Sequence, residues 1–214
     1  MDGLRQVASA AKLDGEAAVQ RHPALSRFCD DARAILSQGY EREQLSQVKS
    51  LLQKLLADTG FIAQYCGPDA KPGLHLLHED GELGFQVLAH INDKPKVSPP
   101  HNHGASWAIY GQAVGHTDMT DWERVVEGQS PALARMVAVR KYRLQPCDAG
   151  LFSHGAIHSI DFPAQTRFVR VTGTNLDLIQ RTAFDPLTGG ERTLGPAPAG
   201  AAGGAGATGG AGAA

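Results

Sequence analysis

The chain has 214 residues, a formal net charge of −2 at pH 7, 42% hydrophobic residues and 20% charged residues. This composition is typical of a soluble globular protein and argues against a disordered or fibrous one. Because the sequence contains no basic block, we expect neither a nucleic acid nor an anionic membrane as a partner.

The cysteines Cys29, Cys66 and Cys147 are few and widely spaced. They favour neither a disulfide framework nor a CxxC metal site, and they fit a reducing compartment. The N-terminal stretch carries several charges and lacks the apolar run of a secretory signal. No run of about 18 apolar residues predicts a membrane-spanning helix. We therefore expect a cytoplasmic protein.

The first third of the chain is predicted to be helical. Apolar residues recur every three or four positions in residues 23–38 and again in residues 41–57, and a glycine follows each stretch. Each pattern predicts an amphipathic helix with one apolar stripe. We expect these stripes to pack against the rest of the protein.

After Gly67 and Pro68 the pattern changes to short apolar or alternating runs that are separated by turn residues. Residues 173–184 are expected to form a last strand or a short helix. About eight strands are predicted before them, at residues 74–78, 83–91, 106–114, 117–126, 135–144, 149–152, 157–161 and 167–171.

The order of these elements indicates an α+β, mainly β fold. Helices followed by many short strands predict that the strands close into a small barrel or sandwich. We expect residues 1–66 to form an N-terminal helical segment packed on the strands, and residues 67–194 to form the barrel. Residues 195–214 contain only Gly, Ala, Pro and Thr, which predicts a disordered Ala/Gly-rich tail.

The most informative feature is the string PPHNHG at residues 99–104. On an extended chain residues i and i+2 project to the same side, so His101 and His103 can offer two imidazoles to one metal ion. A lone His-x-His pair is more often a coincidence or a surface pair than a metal site. A third ligand is therefore needed to support a metal centre.

Candidates for the third ligand come later in the chain. His158 follows a glycine turn in the string AGLFSHGAIHSI, and it supplies a third imidazole if its strand lies opposite the first inside a closed barrel. His116, at a strand end beside Gly115, is the alternative. Three protein ligands leave coordination positions open, as in catalytic metal sites, whereas structural zinc sites use four.

These two stretches resemble the two motifs of the cupin superfamily, whose fold is a double-stranded β-helix barrel. The resemblance is carried by PHNHG at residues 100–104, by Gly115 and by GAIH at residues 155–158. The first cupin motif usually carries a glutamate ligand four or five residues after its second histidine, where this chain has Trp107 and Ala108.

Loss of that glutamate is characteristic of the thiol dioxygenase branch, the cysteine dioxygenase and 3-mercaptopropionate dioxygenase type. These enzymes are similar to this chain in having helices before the barrel and three histidines on a ferrous ion. The resemblance therefore implies N-terminal helices followed by a cupin barrel, with His101, His103 and His158 as Fe(II) ligands.

The resemblance runs from about residue 83 to Phe184 and includes a closing segment similar to that of the mercaptopropionate enzymes. That segment contains GTN at residues 173–175, followed by Arg181. In those enzymes an alternating Ser, His and Tyr point at the bound thiol. The corresponding positions here hold Phe168, Arg170 and Thr172.

The ligand set also bears on the chemistry. Three neutral imidazoles leave the 2+ charge of the ion uncancelled, which favours an anionic donor in the open positions. The resemblance implies an Fe(II) dioxygenase that uses O2 to oxidise a small anionic substrate, most simply a thiol, to a sulfinate. Zn, Mn and Ni are alternative metals. An isomerase, lyase or hydrolase, and a non-catalytic ligand-binding protein, are the alternative functions.

Arg170 is a candidate substrate-binding residue. If the family register holds, its guanidinium is buried near the metal and needs an anionic partner such as a substrate carboxylate. A register shifted by one residue instead puts Val169 and Val171 inside and Arg170 on the surface. The sequence leaves both registers open.

Two further residues are candidates for catalysis. His154 is an acid or base candidate beside the third ligand, or else an exposed loop histidine. Tyr110, on the strand after the histidine pair, lines the pocket or belongs to the core. Because edge strands of such barrels can pair between subunits, a homodimer is a candidate assembly.

Overall fold

The computed structural model describes residues 20–126 and 134–196. Within these ranges the chain forms three α-helices and then eleven strands. The helices are α1 Pro23–Leu36, α2 Arg42–Leu56 and α3 Thr59–Cys66. The strands are β1 Gly73–Glu79, β2 Gln86–Ile91, β3 Lys96–Val97, β4 Ala108–Val114, β5 Thr117–Val126, β6 Ala134–Leu144, β7 Ala149–Phe152, β8 Ile157–Phe162, β9 Arg167–Thr172, β10 Arg181–Phe184 and β11 Glu191–Leu194. The predicted tail lies outside the described residues from residue 197 onward.

Both predicted helices are present, and their apolar stripes are buried. The third helix, α3, was not predicted, because its eight residues are too few to display a stripe. Its start is fixed by Asp58, whose side chain accepts a hydrogen bond from the backbone N–H of Phe61 at 2.9 Å. No helix in the described part of the chain is long and apolar enough to cross a membrane.

The strands form two antiparallel sheets and a hairpin. One sheet has five strands in the order β1-β2-β9-β4-β7, and the other has four in the order β3-β8-β5-β6, while β10 pairs with β11. The strand predicted at residues 83–91 begins only at Gln86. Asp80 caps the preceding turn by accepting hydrogen bonds from the N–H groups of Glu82 and Leu83 at 3.0 and 2.8 Å.

Two hydrophobic layers hold these elements together. The helices pack on one face of the five-stranded sheet and form the helix-side core, which includes Leu25, Leu52, Ile109 and Val171. The other face of this sheet meets the four-stranded sheet and forms the inter-sheet core. The buried members of the inter-sheet core are Ala108, Tyr110, Met119, Leu144, Phe152, Ile160, Phe162 and Phe168. Both faces of the five-stranded sheet are therefore covered.

The strands do not close into the barrel expected from the sequence. In the described ranges β7 pairs only with β4, and β6 pairs only with β5, so each of these two strands is an edge strand of its sheet. β7 has four residues whereas β6 has eleven, so β7 offers little backbone for a ladder with β6. The architecture is a two-sheet sandwich with an open edge. A homodimer and a cytoplasmic location stay predictions.

Arg167 joins the strands to the last helix. Its buried guanidinium donates hydrogen bonds to the carbonyl groups of Cys66, Gly67 and Pro68, at the end of α3. These carbonyls have no partner within the helix, and a cation there also interacts favourably with the helix dipole.

We expect Arg167→Met to lower the free energy of unfolding by about 2–3 kcal/mol, because several charge-assisted hydrogen bonds are lost and two of their acceptors, the carbonyls of Cys66 and Gly67, stay buried. Chemical denaturation measures this change. Arg192→Met, in the exposed hairpin strand β11, is the matched control and should change stability little. Equal stability of the two variants would contradict this role of Arg167.

Candidate metal centre

The segment that carries His101 and His103 is held between β8 and β10. The backbones of His101 and His158 exchange two hydrogen bonds, of 2.8 and 3.0 Å. The N–H of Asn102 donates to the carbonyl of Thr182 at 3.0 Å, and the Asn102 side chain accepts from the N–H groups of Gly104 and Thr182 at 3.1 and 2.9 Å. The loop is therefore fixed before any ligand binds.

Gly104 closes this loop in a conformation that favours glycine. Its φ is +60°, and a Cβ added there would lie 1.9 Å from the carbonyl oxygen of Gln180. Any side chain at this position would separate the loop from the segment before β10. Steric hindrance from the Gln180 carbonyl therefore explains why position 104 of the string PPHNHG is a glycine.

The structure brings His101, His103 and His158 together. One ring nitrogen of each lies within 4.8 Å of those of the others, and the Nε2 atoms of His103 and His158 are 3.4 Å apart. The Nδ1 of His101 lies 3.0 Å from the carbonyl oxygen of Pro99, which leaves its Nε2 as the nitrogen that can bind an ion. Phe152 stacks on the ring of His158, with 3.8 Å between the ring centroids.

Burial keeps these imidazoles neutral. It lowers the pKa of His103 to about 2 and the pKa of His158 well below its ordinary value, and it also lowers the pKa of His101. Nearby positive charges, including Arg170, lower all three further. Neutral imidazoles present lone pairs, so three of them converging in a buried place fit a divalent transition metal.

The converging group contains three histidines and, within residues 20–126 and 134–196, no carboxylate. Cupins usually carry the glutamate at one of two positions, which are Trp107 and Ala108 in this chain. The side chains at these two positions point to opposite faces of the five-stranded sheet. Trp107 is buried in the helix-side core, and Ala108 is buried in the inter-sheet core. Of these two side chains, only the methyl group of Ala108 lies on the side of the sheet that faces the three histidines. It carries no charge that could cancel the charge of an ion.

Tyr110 lies beside these histidines. Its hydroxyl is 3.2 Å from the Nε2 of His103, and its ring packs edge-on against the ring of His158, with 5.2 Å between the centroids. Tyr110 also belongs to the inter-sheet core. The interpretation of Tyr110 as a core residue therefore agrees with its position, and its role in a substrate pocket stays a prediction.

Arg170 faces the space between the sheets. It stands opposite Tyr110 in the ladder between β4 and β9 and shares a strand face with Phe168 of the inter-sheet core. The register is the one that the resemblance implies. Val169 and Val171 are buried as well, in the helix-side core. Both faces of β9 are covered here, one by the helices and the other by the four-stranded sheet.

The Nε of Arg170 is buried and has no hydrogen-bond partner among the described residues, and the same holds for Arg181. Arg181 lies on β10, next to Thr182 and against Gly104. Burial, followed by the positive charge of Arg170, lowers the pKa of Arg181. Asp177 acts on Arg181 from beyond ion-pair distance, and neither guanidinium forms an ion pair with a described carboxylate. Two guanidinium groups that repel each other in this way provide a place for an anion.

Arg181 was not among the predicted site residues. The sequence predicts only that residues 173–184 form a strand or a short helix. The direction of the Arg181 side chain does not follow from that prediction. Its presence in the closing segment similar to the mercaptopropionate enzymes was the available signal. Arg181 contacts the histidine loop because β10 lies beside residues 100–102, a pairing between segments about 80 residues apart in the chain.

The other two candidate histidines lie elsewhere. His154 is exposed, and its Nε2 lies 2.9 Å from the carbonyl oxygen of Ala105, so it ties two loops together. Nothing in that position brings its ring to the three converging histidines. His116 does not belong to the converging group either. His158 rather than His116 is therefore the third ligand candidate, and its backbone pairs directly with that of His101.

No family model matches this sequence, and no curated protein matches it. Among solved structures it is similar to KdgF from Halomonas sp., with 18% identity and a TM-score of 0.35, over 49% of this chain and 82% of that one. It is similar to the cupin domain of Schizosaccharomyces pombe Cnp3, with 12% identity and a TM-score of 0.36, over 50% and 66% of the two chains.

A cupin superfamily protein from Desulfitobacterium hafniense is similar at 12% identity and a TM-score of 0.36, over 51% of this chain and 86% of that one. Two of these three proteins are thus described as cupins. Similarity at this level assigns neither a family nor an activity to this chain. The case for a metal centre comes from the residues themselves.

We expect the protein to bind one divalent metal ion per chain through the three histidines. His103→Ala and His158→Ala should each abolish stoichiometric binding in elemental analysis. Metal at a hundred times its Kd stabilises a folded protein by about 2.7 kcal/mol. EDTA should therefore lower the Tm of the wild-type protein and leave the Tm of both variants unchanged.

His116→Ala and His154→Ala are the matched controls, since each removes one imidazole outside the group. Both should retain the metal. If His116→Ala lost the ion as completely as His158→Ala, the assignment of the third ligand would be overturned.

Proposed function

We propose that this protein is a mononuclear non-haem Fe(II) dioxygenase of the cupin class that oxidises a small anionic thiol to a sulfinate. The observation that carries the proposal is that three neutral imidazoles converge near two guanidinium groups whose buried Nε atoms have no hydrogen-bond partner among the described residues. Such a site is cationic throughout once an ion is bound, so it selects an anionic substrate.

Each part of the proposal has its own support. The choice of Fe(II) and of a thiol comes from the resemblance to thiol dioxygenases, since imidazole ligands alone also suit zinc and other metals. The anionic character of the substrate is supported by Arg170 and Arg181, whose buried Nε atoms lack acceptors. A carboxylate on the substrate would provide these acceptors in a bidentate geometry.

The roles of the residues follow from their positions. Fe(II) would supply open coordination positions for the thiol sulfur and O2, and both oxygen atoms would end on sulfur. The three histidines hold the ion. Phe152 and Phe168 exclude water from one side of the site, and the Tyr110 hydroxyl supplies a hydrogen-bond donor beside the reacting atoms.

Oxygen uptake tests this proposal directly. Protein reconstituted anaerobically with Fe(II) should consume one O2 per thiol when 3-mercaptopropionate or cysteine is added, with the sulfinate detected by mass spectrometry. His158→Ala should lose the activity, and His154→Ala should keep it. No uptake with any small thiol, with the iron demonstrably bound, would remove the thiol assignment.

A second experiment tests the role of Arg170 in binding the substrate. Arg170→Met should raise the KM for 3-mercaptopropionate by about tenfold or more, because the loss of a charge-assisted pair costs on the order of 1.5–3 kcal/mol. Cysteamine has the thiol and no carboxylate, so its kinetics should change much less. Arg27→Met, on the exposed side of α1, is the control variant. An equal effect on both thiols would contradict a carboxylate-binding role.

A further inference from the structure

A cavity lies at the open edge of the sandwich. It has a volume of about 560 Å³ and is bounded by α2 on one side and by β5, β6 and β7 on the other. None of the three converging histidines lines it. We call this cavity the α2–β6 cleft. The cleft lies where β6 and β7 do not pair with each other, and α2 covers the gap between these two edge strands.

The helix presents a polar stripe to this cleft. Arg42, Ser46, Lys49 and Gln53 all line it, and their spacing of four, three and four residues places them on one face of α2. The apolar stripe of the same helix faces the helix-side core. The side chain of Gln53 donates to the carbonyl of Cys147 at 3.3 Å, which closes one end of the cleft.

The opposite wall carries a cation that is held in place. The guanidinium of Arg140 lies 4.5 Å from the centroid of the Tyr142 ring. The hydroxyl of Tyr142 in turn donates to Asp121 at 3.3 Å. A guanidinium stacked on an aromatic ring keeps its N–H groups free to bind a ligand at the ring's edge.

The charges of the cleft are not balanced. Four cations line it, against the carboxylates of Asp121 and Asp148. Arg143 is paired outside the cleft with Asp118, through hydrogen bonds of 2.7 and 2.8 Å. In residues 20–126 and 134–196, the other three cations, Arg42, Lys49 and Arg140, form no direct ion pair with a carboxylate. Asp121 stands opposite Arg140 in the ladder between β5 and β6 and is the nearest counter-charge to it.

We propose that the α2–β6 cleft binds a small molecule through a phosphate group, which bridges Arg42 and Lys49 of the helix to Arg140 of β6. The oxygen atoms of a phosphate group point in several directions, so cations on facing walls can contact it from both sides at once, which suits a phosphate better than a planar carboxylate. The volume lies within the range of small-molecule sites. The mainly polar lining indicates that the charged group is what is recognised. This site is independent of the metal centre and of the proposed function.

Calorimetric titration of the full chain with inorganic phosphate and with pyrophosphate, at low ionic strength, tests the proposal. The double variant Lys49→Met/Arg140→Met should weaken the Kd for both anions by about tenfold or more. The matched control is Lys54→Met/Lys141→Met, which removes one exposed cation from the same helix and one from the same strand, and neither residue lines the cleft. Its affinities should equal those of the wild-type protein.

Three outcomes would overturn the proposal: no binding of either anion to the wild-type protein, an equal loss in the control variant, or tighter binding of citrate than of pyrophosphate. The last outcome would assign the cleft to carboxylates. Arg42→Met alone is a second variant that should also weaken binding, and it keeps the test decisive if the double variant does not fold.

Discussion

Two backbone hydrogen bonds between His101 and His158 hold the candidate metal centre together. Residues that exchange both bonds stand directly opposite each other in an antiparallel pair, and their side chains lie on the same side. His103 then joins them, because it is two residues along the same extended segment. The Asn102 side chain and the glycine conformation of Gly104 fix this segment against β10, which also brings Arg181 to the site.

The electrostatics of the site follow from what surrounds this pairing. Burial removes the charge of the imidazoles, and the absence of a carboxylate from the converging group leaves the charge of an ion uncancelled. Arg170 and Arg181 add positive charge, and their buried Nε atoms have no hydrogen-bond partner among the described residues. A protein keeps such groups together at a cost in stability. An anionic ligand that binds both guanidinium groups would offset this cost.

The helices contribute more than a cover for one sheet. α2 buries its apolar stripe against the five-stranded sheet and turns its polar stripe toward the open edge. The same helix thus completes the core and forms one wall of the α2–β6 cleft. A closed barrel would have no such cleft, because pairing between β6 and β7 would fill the space.

The sequence by itself determined the features that depend on local periodicity and on short motifs. The amphipathic patterns predicted α1 and α2, the alternating runs predicted most of the strands, and the string PPHNHG with the later GAIH predicted which imidazoles would meet. Tertiary structure decided the rest. The direction of Arg170 depends on the strand register, the role of Arg181 depends on where β10 docks, and the open edge depends on which strands pair. Each of these is set by contacts between residues far apart in the chain, and no local pattern encodes such contacts.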